Sequence, residues 1–201
     1  IQAVFNQDKT SRIIKILITG ICGFAGSTIS KTLMQSHNNL QIIGLDNFSR
    51  KGSEINISEL TKLGVELIRG DIRSQSDIDA LPKVDWVIDC AANPSVLAGI
   101  GSQSSSTQLM EHNLIGTINL LEYCKRHKSG VILLSTSRVY SASELSALPV
   151  KSSGNRFKLQ SCEVRGFSSY GISEDFPTTA PLSLYGASKL ASETLILEYG
   201  Y

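Results

Sequence analysis

From Ile13 onward, short apolar runs alternate with longer stretches in which apolar residues recur every three or four positions. The runs at 13–18, 40–45, 65–68, 84–88 and 131–134 read as five strands. Several are apolar almost throughout, which suits strands covered on both faces, as in a parallel sheet between helices. The intervening stretches 24–37, 54–63, 75–81 and 108–127 read as helices. In the last, Met110, Leu114, Ile118 and Leu121 keep helical spacing and Gly130 follows as a stop. Repetition of strand and helix in this order predicts a doubly wound α/β domain. The rhythm breaks over 141–181, which is rich in Ser and Gly and reads as a long loop near the site. It returns over 182–199, where Leu184, Ala187, Ala191, Leu195 and Leu197 form a stripe, although Gly186 weakens its start as a helix.

Charge narrows the function classes. With 19 Lys+Arg against 18 Asp+Glu, the chain lacks the clustered basic surface that a phosphate backbone requires, so no nucleic-acid partner is expected. No apolar stretch reaches the ~18 residues of a spanning helix, and no signal peptide is evident, so the expectation is a cytoplasmic protein without a membrane partner. Cys22, Cys90, Cys124 and Cys162 are widely spaced with no C-x-x-C pair, so they are expected to be packed thiols, and no metal site is expected. Residues 1–12 are expected to form a leader or disordered tail, and 13–201 a dinucleotide-binding domain cut short at its end.

The first strand runs into Thr19-Gly20-Ile21-Cys22-Gly23-Phe24-Ala25-Gly26, a G-x-x-G-x-x-G spacing that opens the first helix. Gly20 suits a tight turn, Gly23 lets backbone amides approach a pyrophosphate, and Gly26 allows close packing of helix on strand. Asp46 ends the second strand 20 residues after Gly26, where a carboxylate can accept both ribose hydroxyls of an adenosine. A carboxylate there repels a 2′-phosphate and favours NAD, whereas the neighbouring Arg50 and Lys51 could instead pair with one. Asp71-Ile72, just after the third strand, is placed to meet the adenine edge, or else is a surface-loop carboxylate. The reading is a Rossmann-type domain.

Near the start of the last helix stands Tyr185-Gly186-Ala187-Ser188-Lys189, with phenol and ammonium one turn apart on one face. A cation beside a phenol stabilises the phenolate, lowering a pKa that is ordinarily ~10 toward the range of a general base. The same ammonium can hold the nicotinamide ribose. Ser135-Thr136-Ser137-Arg138-Val139-Tyr140 follows the fifth strand, at the sheet edge where ligands of this architecture sit, and offers hydroxyls to a substrate oxygen.

These motifs resemble those of extended short-chain dehydrogenases/reductases, in the NAD-dependent nucleotide-sugar epimerase/dehydratase family, over about residues 15–199. The resemblance is carried by 19–26, Asp46-Asn47-Phe48-Ser49-Arg50, Gly70-Asp71-Ile72, Ala91-Ala92, Asn113-Leu114-Ile115-Gly116-Thr117 with Asn119-Leu120-Leu121-Glu122, and Tyr185 to Lys189. It implies Thr136, Tyr185 and Lys189 as catalytic residues. It implies Gly20, Gly23, Phe24, Gly26, Asp46, Asn47, Ser49, Arg50, Asp71, Ile72, Ala91, Ala92 and Asn113, with Tyr185 and Lys189, as the residues that bind NAD. The bland alternative for Asn113 is a helix amide facing solvent. Two positions depart from the family: Asp89-Cys90 precede Ala91-Ala92 where a His is common, and Ser141 follows Val-Tyr where a Gly is common.

Within the family, Asp46-Asn47-Phe48-Ser49-Arg50-Lys51-Gly52 and the 140–185 connection are similar to the CDP-paratose (CDP-tyvelose) 2-epimerase branch. Dehydratases of the family carry an Asp-Glu pair after the catalytic Thr, and here those positions hold Ser137 and Arg138. The resemblance therefore implies an epimerase that oxidises a sugar carbinol transiently and re-reduces it from the opposite face. Alternatives are a UDP-hexose 4-epimerase, a sugar-nucleotide reductase or a non-catalytic NAD-binding module. It further implies a nucleotide-sugar substrate, a homodimer built on the long helix and the last one, a role in carbohydrate and lipopolysaccharide biosynthesis, and a C-terminal substrate lobe absent from this chain, which alone is expected to be inactive.

Overall fold

The computed structural model describes residues 12–99, 105–160, 162–168 and 170–201. They fall into two compact units, one of residues up to Ala91 with Glu122–Ile132, the other of Ala92–Leu121 with Leu133–Tyr201. Residues 1–11 of the expected leader lie outside the described residues. Arg12 is described, and its guanidinium pairs with Asp85, whose carboxylate also accepts the Lys15 N–H at 2.9 Å.

The first unit is built on a five-stranded sheet in the order β3-β2-β1-β4-β5. Its strands are β1 (Ile14–Thr19), β2 (Leu40–Asp46), β3 (Glu66–Arg69), β4 (Trp86–Asp89) and β5 (Gly130–Leu133). β1 pairs parallel with both β2 and β4, and β2 with β3. Leu17, Ile18, Ile42, Val87 and Thr19 are fully buried, so the central strands are covered on both faces, which is why their sequences are apolar without alternation. The sheet is Rossmann-like, and the strand order turns back between β1 and β4, opening a crevice at their carboxyl ends. Helix α1 (Phe24–Ser36) packs on β1 and β2, and α3 (Gln75–Asp79) follows β3. The helix expected at 54–63 divides into a 3-10 turn at Ser53–Asn56 and α2 (Ile57–Lys62). Among the described residues no helix is long and apolar enough to cross a membrane, and all four cysteines are free thiols.

The second unit holds most of the helix expected at 108–127 as three pieces. These are α4 (Ser106–Met110), a π turn at Glu111–Ile115, and the first half of α5 (Gly116–His127). Where the sequence offered one long loop over 141–181, the chain forms α6 (Ala142–Ala147) and two hairpins, β6–β7 (Val150–Ser153 with Arg156–Leu159) and β8–β9 (Phe167–Ser168 with Gly171–Ile172). These strands are two to four residues long and mostly exposed, so they leave no apolar periodicity to read. Backbone bonds from Ser141 N–H to the Pro177 oxygen (2.8 Å) and from Ala142 N–H to the Pro181 oxygen (3.1 Å) pin the ends of this excursion together. Helix α7 (Leu184–Gly200) closes the chain, capped by the Ser183 hydroxyl, which accepts from the Gly186 N–H at 3.0 Å.

Candidate active site

In the first unit, the turn after β1 has the geometry its glycines suggest. Gly20 adopts φ +58°, a left-handed conformation unfavourable to other residues. A Cβ there would also meet the Ala91 backbone at 3.0 Å. At Gly26 a Cβ would collide with the Gly20 carbonyl oxygen and lie 2.8 Å from the Ile21 Cα, so α1 can lie this close to the turn only without a side chain. Helix α1 starts from Gly23 with no side-chain cap and no acidic residue in its first turn. No side chain of its own first turn therefore covers its first amides or the positive end of its dipole, the arrangement that receives phosphate oxygens. Phe24, the first helical residue, is 90% exposed.

Asp46 ends β2 with both carboxylate oxygens held, Oδ2 by the Cys22 N–H and Oδ1 by the Phe48 N–H, each at 2.9 Å. It thereby ties the glycine turn to the second strand and holds its own carboxylate in place. The Asn47 side chain donates to Asp71 Oδ2 and accepts from the Ser49 N–H, both at 2.9 Å, while Arg50 and Lys51 are exposed. Asp71, expected to meet adenine, is engaged within its own loop. Arg73 grips it with Nε (3.0 Å) and NH2 (2.7 Å), and Ile72 beside it is buried. Chiefly through the Arg73 hydrogen bond, the Asp71 carboxyl is held well below the usual carboxylate range.

A carboxyl so depressed stabilises the fold at pH values above its ordinary pKa near 4, and the contribution fades as pH falls toward its folded value. Arg73→Gln should remove most of that dependence. Urea unfolding followed from pH 5 to pH 2 is expected to show a shallower loss of stability in the variant than in the wild type.

At the carboxyl ends of β1 and β4 the buried Asp89, last residue of β4, accepts from the Thr19 hydroxyl at the end of β1 (2.6 Å) and from the Ala91 N–H (3.2 Å). The sequence marked Asp89 only as a departure from the family. Its work is to join the two strand ends at the switch point and to shape the turn that carries Ala91.

The second unit holds Ala92, Asn113, Thr136, Tyr185 and Lys189. Asn113 does not face solvent. It is buried in the π turn, where its Oδ1 accepts from the Asn93 N–H (2.7 Å) and its Nδ2 donates to the Asn93 oxygen and the Ser188 hydroxyl (both 3.1 Å). Its own carbonyl accepts from the Thr117 hydroxyl (2.8 Å) and the Ser192 hydroxyl (3.2 Å). With its amide used on both sides, Asn113 acts as a clamp between the segment after β4 and α7. Asn113→Ala should leave the N–H and carbonyl of the half-buried Asn93 without their Asn113 partners and cost Ser188 one of its two bonds, lowering stability by about 1–3 kcal/mol in urea unfolding.

Tyr185 is half-buried and Lys189, one turn on, is 2% exposed. Thr136 caps a 3-10 turn at Ser137–Val139, its hydroxyl accepting from the Arg138 N–H at 3.2 Å. Gly186 explains itself here, because a Cβ would run into the Arg138 carbonyl, with its carbon only 2.9 Å away. The glycine lets α7 lie against the Thr136 turn. Tyr140 closes that turn and packs edge-on against Phe176 at 5.8 Å. Burial and then the Glu174 and Glu193 carboxylates push its phenol above its ordinary pKa.

The profile of the NAD dependent epimerase/dehydratase family matches residues 16–201. The chain belongs to that family. It is 31% identical over 192 residues to a CDP-paratose 2-epimerase of Salmonella typhi, covering 92% of this chain and 53% of the relative. A solved UDP-glucuronic acid 4-epimerase mutant from Bacillus cereus, in complex with a fluorinated UDP-glucuronic acid and NAD, superposes with TM-score 0.68 at 29% identity. It covers 92% of this chain and 52% of that one. The UDP-Glc/GlcNAc 4-epimerase of Campylobacter jejuni superposes with TM-score 0.69 at 27% identity, over 93% and 49%. The chain thus spans about half the length of these relatives.

NAD is the family's cofactor, and the first unit fits a dinucleotide. The left-handed Gly20, the uncapped start of α1 and the Asp46 carboxylate together form a cradle whose tight turn a Cβ at Gly20 or Gly26 would break by meeting backbone atoms. Sequence reasoning missed Arg73 and Ser192 and gave no role to Asp89 or to the hydroxyls of Thr117 and Ser188. The serines did leave a trace, since two polar residues four apart on the core side of a helix need partners.

Proposed function

We propose that the complete protein is an NAD-dependent nucleotide-sugar epimerase of the CDP-paratose 2-epimerase type. The observation that carries the reading is the hydroxyl, phenol and buried ammonium of Thr136, Tyr185 and Lys189 on elements held together through Gly186. The similarity to the Salmonella typhi enzyme supports the choice of branch. NAD, when bound, accepts a hydride from the sugar carbinol and later returns it. The Tyr185 phenolate takes the carbinol proton, the Lys189 ammonium favours that phenolate, and the Thr136 hydroxyl hydrogen-bonds the reacting oxygen. Return of the proton from Tyr185 completes a cycle with no net oxidation.

Ser137 and Arg138 after Thr136 offer no acid and base pair for water elimination, which sets this reading apart from a dehydratase. Similarity to UDP-glucuronic acid 4-epimerase supports a second version of the same chemistry, acting at C4 of a UDP-sugar. Four free thiols support a cytoplasmic setting, and exposed Ile115 and Leu197 support a homodimer built on the long helix and α7.

The test is to incubate the full-length protein with CDP-paratose and with UDP-glucuronic acid in D₂O and follow each by proton NMR. Inversion at one carbon with its hydrogen retained supports transient oxidation, because the hydride returns from the cofactor. Solvent deuterium at that carbon, or no inversion of either sugar, would overturn the reading.

A further inference from the structure

We propose that Glu193 is a positioning residue for this reaction, holding through Ser135 the register of the Thr136 turn along α7; the inference rests on the function proposed above. Glu193 follows Lys189 by four residues and Tyr185 by eight, so the three lie along one side of α7. The Ser135 hydroxyl donates to Glu193 Oε1, across 58 residues of sequence. Ser135 stands two residues beyond the end of β5 and immediately before Thr136.

The turn is therefore fastened to α7 at two places. At one, the Arg138 carbonyl abuts the bare backbone of Gly186; at the other, Ser135 is bonded to Glu193. The two anchors lie seven residues apart on the helix, about 10 Å. Thr136 falls between them in the turn, and Lys189 falls between them on the helix. One anchor alone would leave the turn free to pivot about Gly186, whereas two fix where the Thr136 hydroxyl lies relative to the Tyr185–Lys189 face. Ser135 is exposed and Glu193 half-buried, so their bond is not required to satisfy a core.

The experiment uses the full-length protein with CDP-paratose and UDP-glucuronic acid as probes, and amide hydrogen exchange at Val139, whose N–H is bonded to the Thr136 oxygen at 3.3 Å. Glu193→Ala and Ser135→Ala should each lower kcat by about 10- to 100-fold and speed exchange at Val139, with KM, retained NAD and Tm little changed. Glu193→Gln keeps an oxygen for Ser135 and should recover most of the loss. The double variant Ser135→Ala/Glu193→Ala should be no worse than either single one. Additive losses, a Gln variant as impaired as Ala, or unchanged exchange at Val139 would overturn the proposal. Tyr185→Phe, run in parallel, separates the two claims. If it turns over normally the function fails; if it is dead while Ser135→Ala is normal, only the positioning role fails.

Discussion

Tyr185→Phe in the full-length protein is expected to lower turnover by about 10²- to 10⁴-fold while leaving NAD bound. The substitution removes one oxygen and keeps the ring that fills the half-buried space at the start of α7. The Gly186 contact with Arg138, the Ser183 cap and the buried Lys189 are all untouched, so the helix should keep its place. The glycine turn at Gly20 and Gly26 and its tie to Asp46 lie in the first unit and are held by bonds of their own. The loss should therefore fall on kcat, with the retained dinucleotide measured by mass spectrometry under native conditions. A variant that turns over CDP-paratose or UDP-glucuronic acid at the wild-type rate would remove Tyr185 from the role of base in the proposed reaction.

Gly26→Ala is expected to have the second large effect, destabilising the fold by about 1–3 kcal/mol and weakening NAD binding by at least about 10-fold. The added carbon would press on the Gly20 carbonyl oxygen and the Ile21 Cα, which are backbone atoms and cannot swing aside. Relief requires α1 to move away from the turn. The same movement strains the Cys22 N–H bond to Asp46, through which the turn is tied to β2. Gly200→Ala is the control, since a Cβ there meets nothing within 4 Å. Thermal unfolding and calorimetric titration with NAD should separate the two variants. Equal behaviour would mean that the approach of α1 to the turn does not shape the cradle.

The sheet was legible along the chain because its central strands are buried on both faces. Burial of that kind forces unbroken apolar runs at Ile16–Leu17–Ile18 and Ile42–Ile43, and the runs locate the strands to within two residues. The glycine turn, Asp46 and the Tyr185–Lys189 spacing were legible for a related reason. Each depends on neighbours within about one turn or one βα unit, so sequence distance stands in for spatial distance.

What the tertiary structure decided are pairings between residues far apart in the chain. Thr19 with Asp89, Asn113 with Asn93 and Ser188, and Ser135 with Glu193 join positions 20 to 75 residues apart, and polar side chains carry no mark of the partner they will meet. Asp71 shows the same limit at short range, where the sequence offered a carboxylate for adenine but could not tell that Arg73 and Asn47 had claimed it. The π turn at Glu111–Ile115 was hidden in an apparently regular helix, because one inserted residue hardly disturbs an apolar period while it frees a carbonyl for Thr117 and Ser192. Local spacing thus determined the central strands and the glycine turn, and packing alone decided which polar groups reach one another.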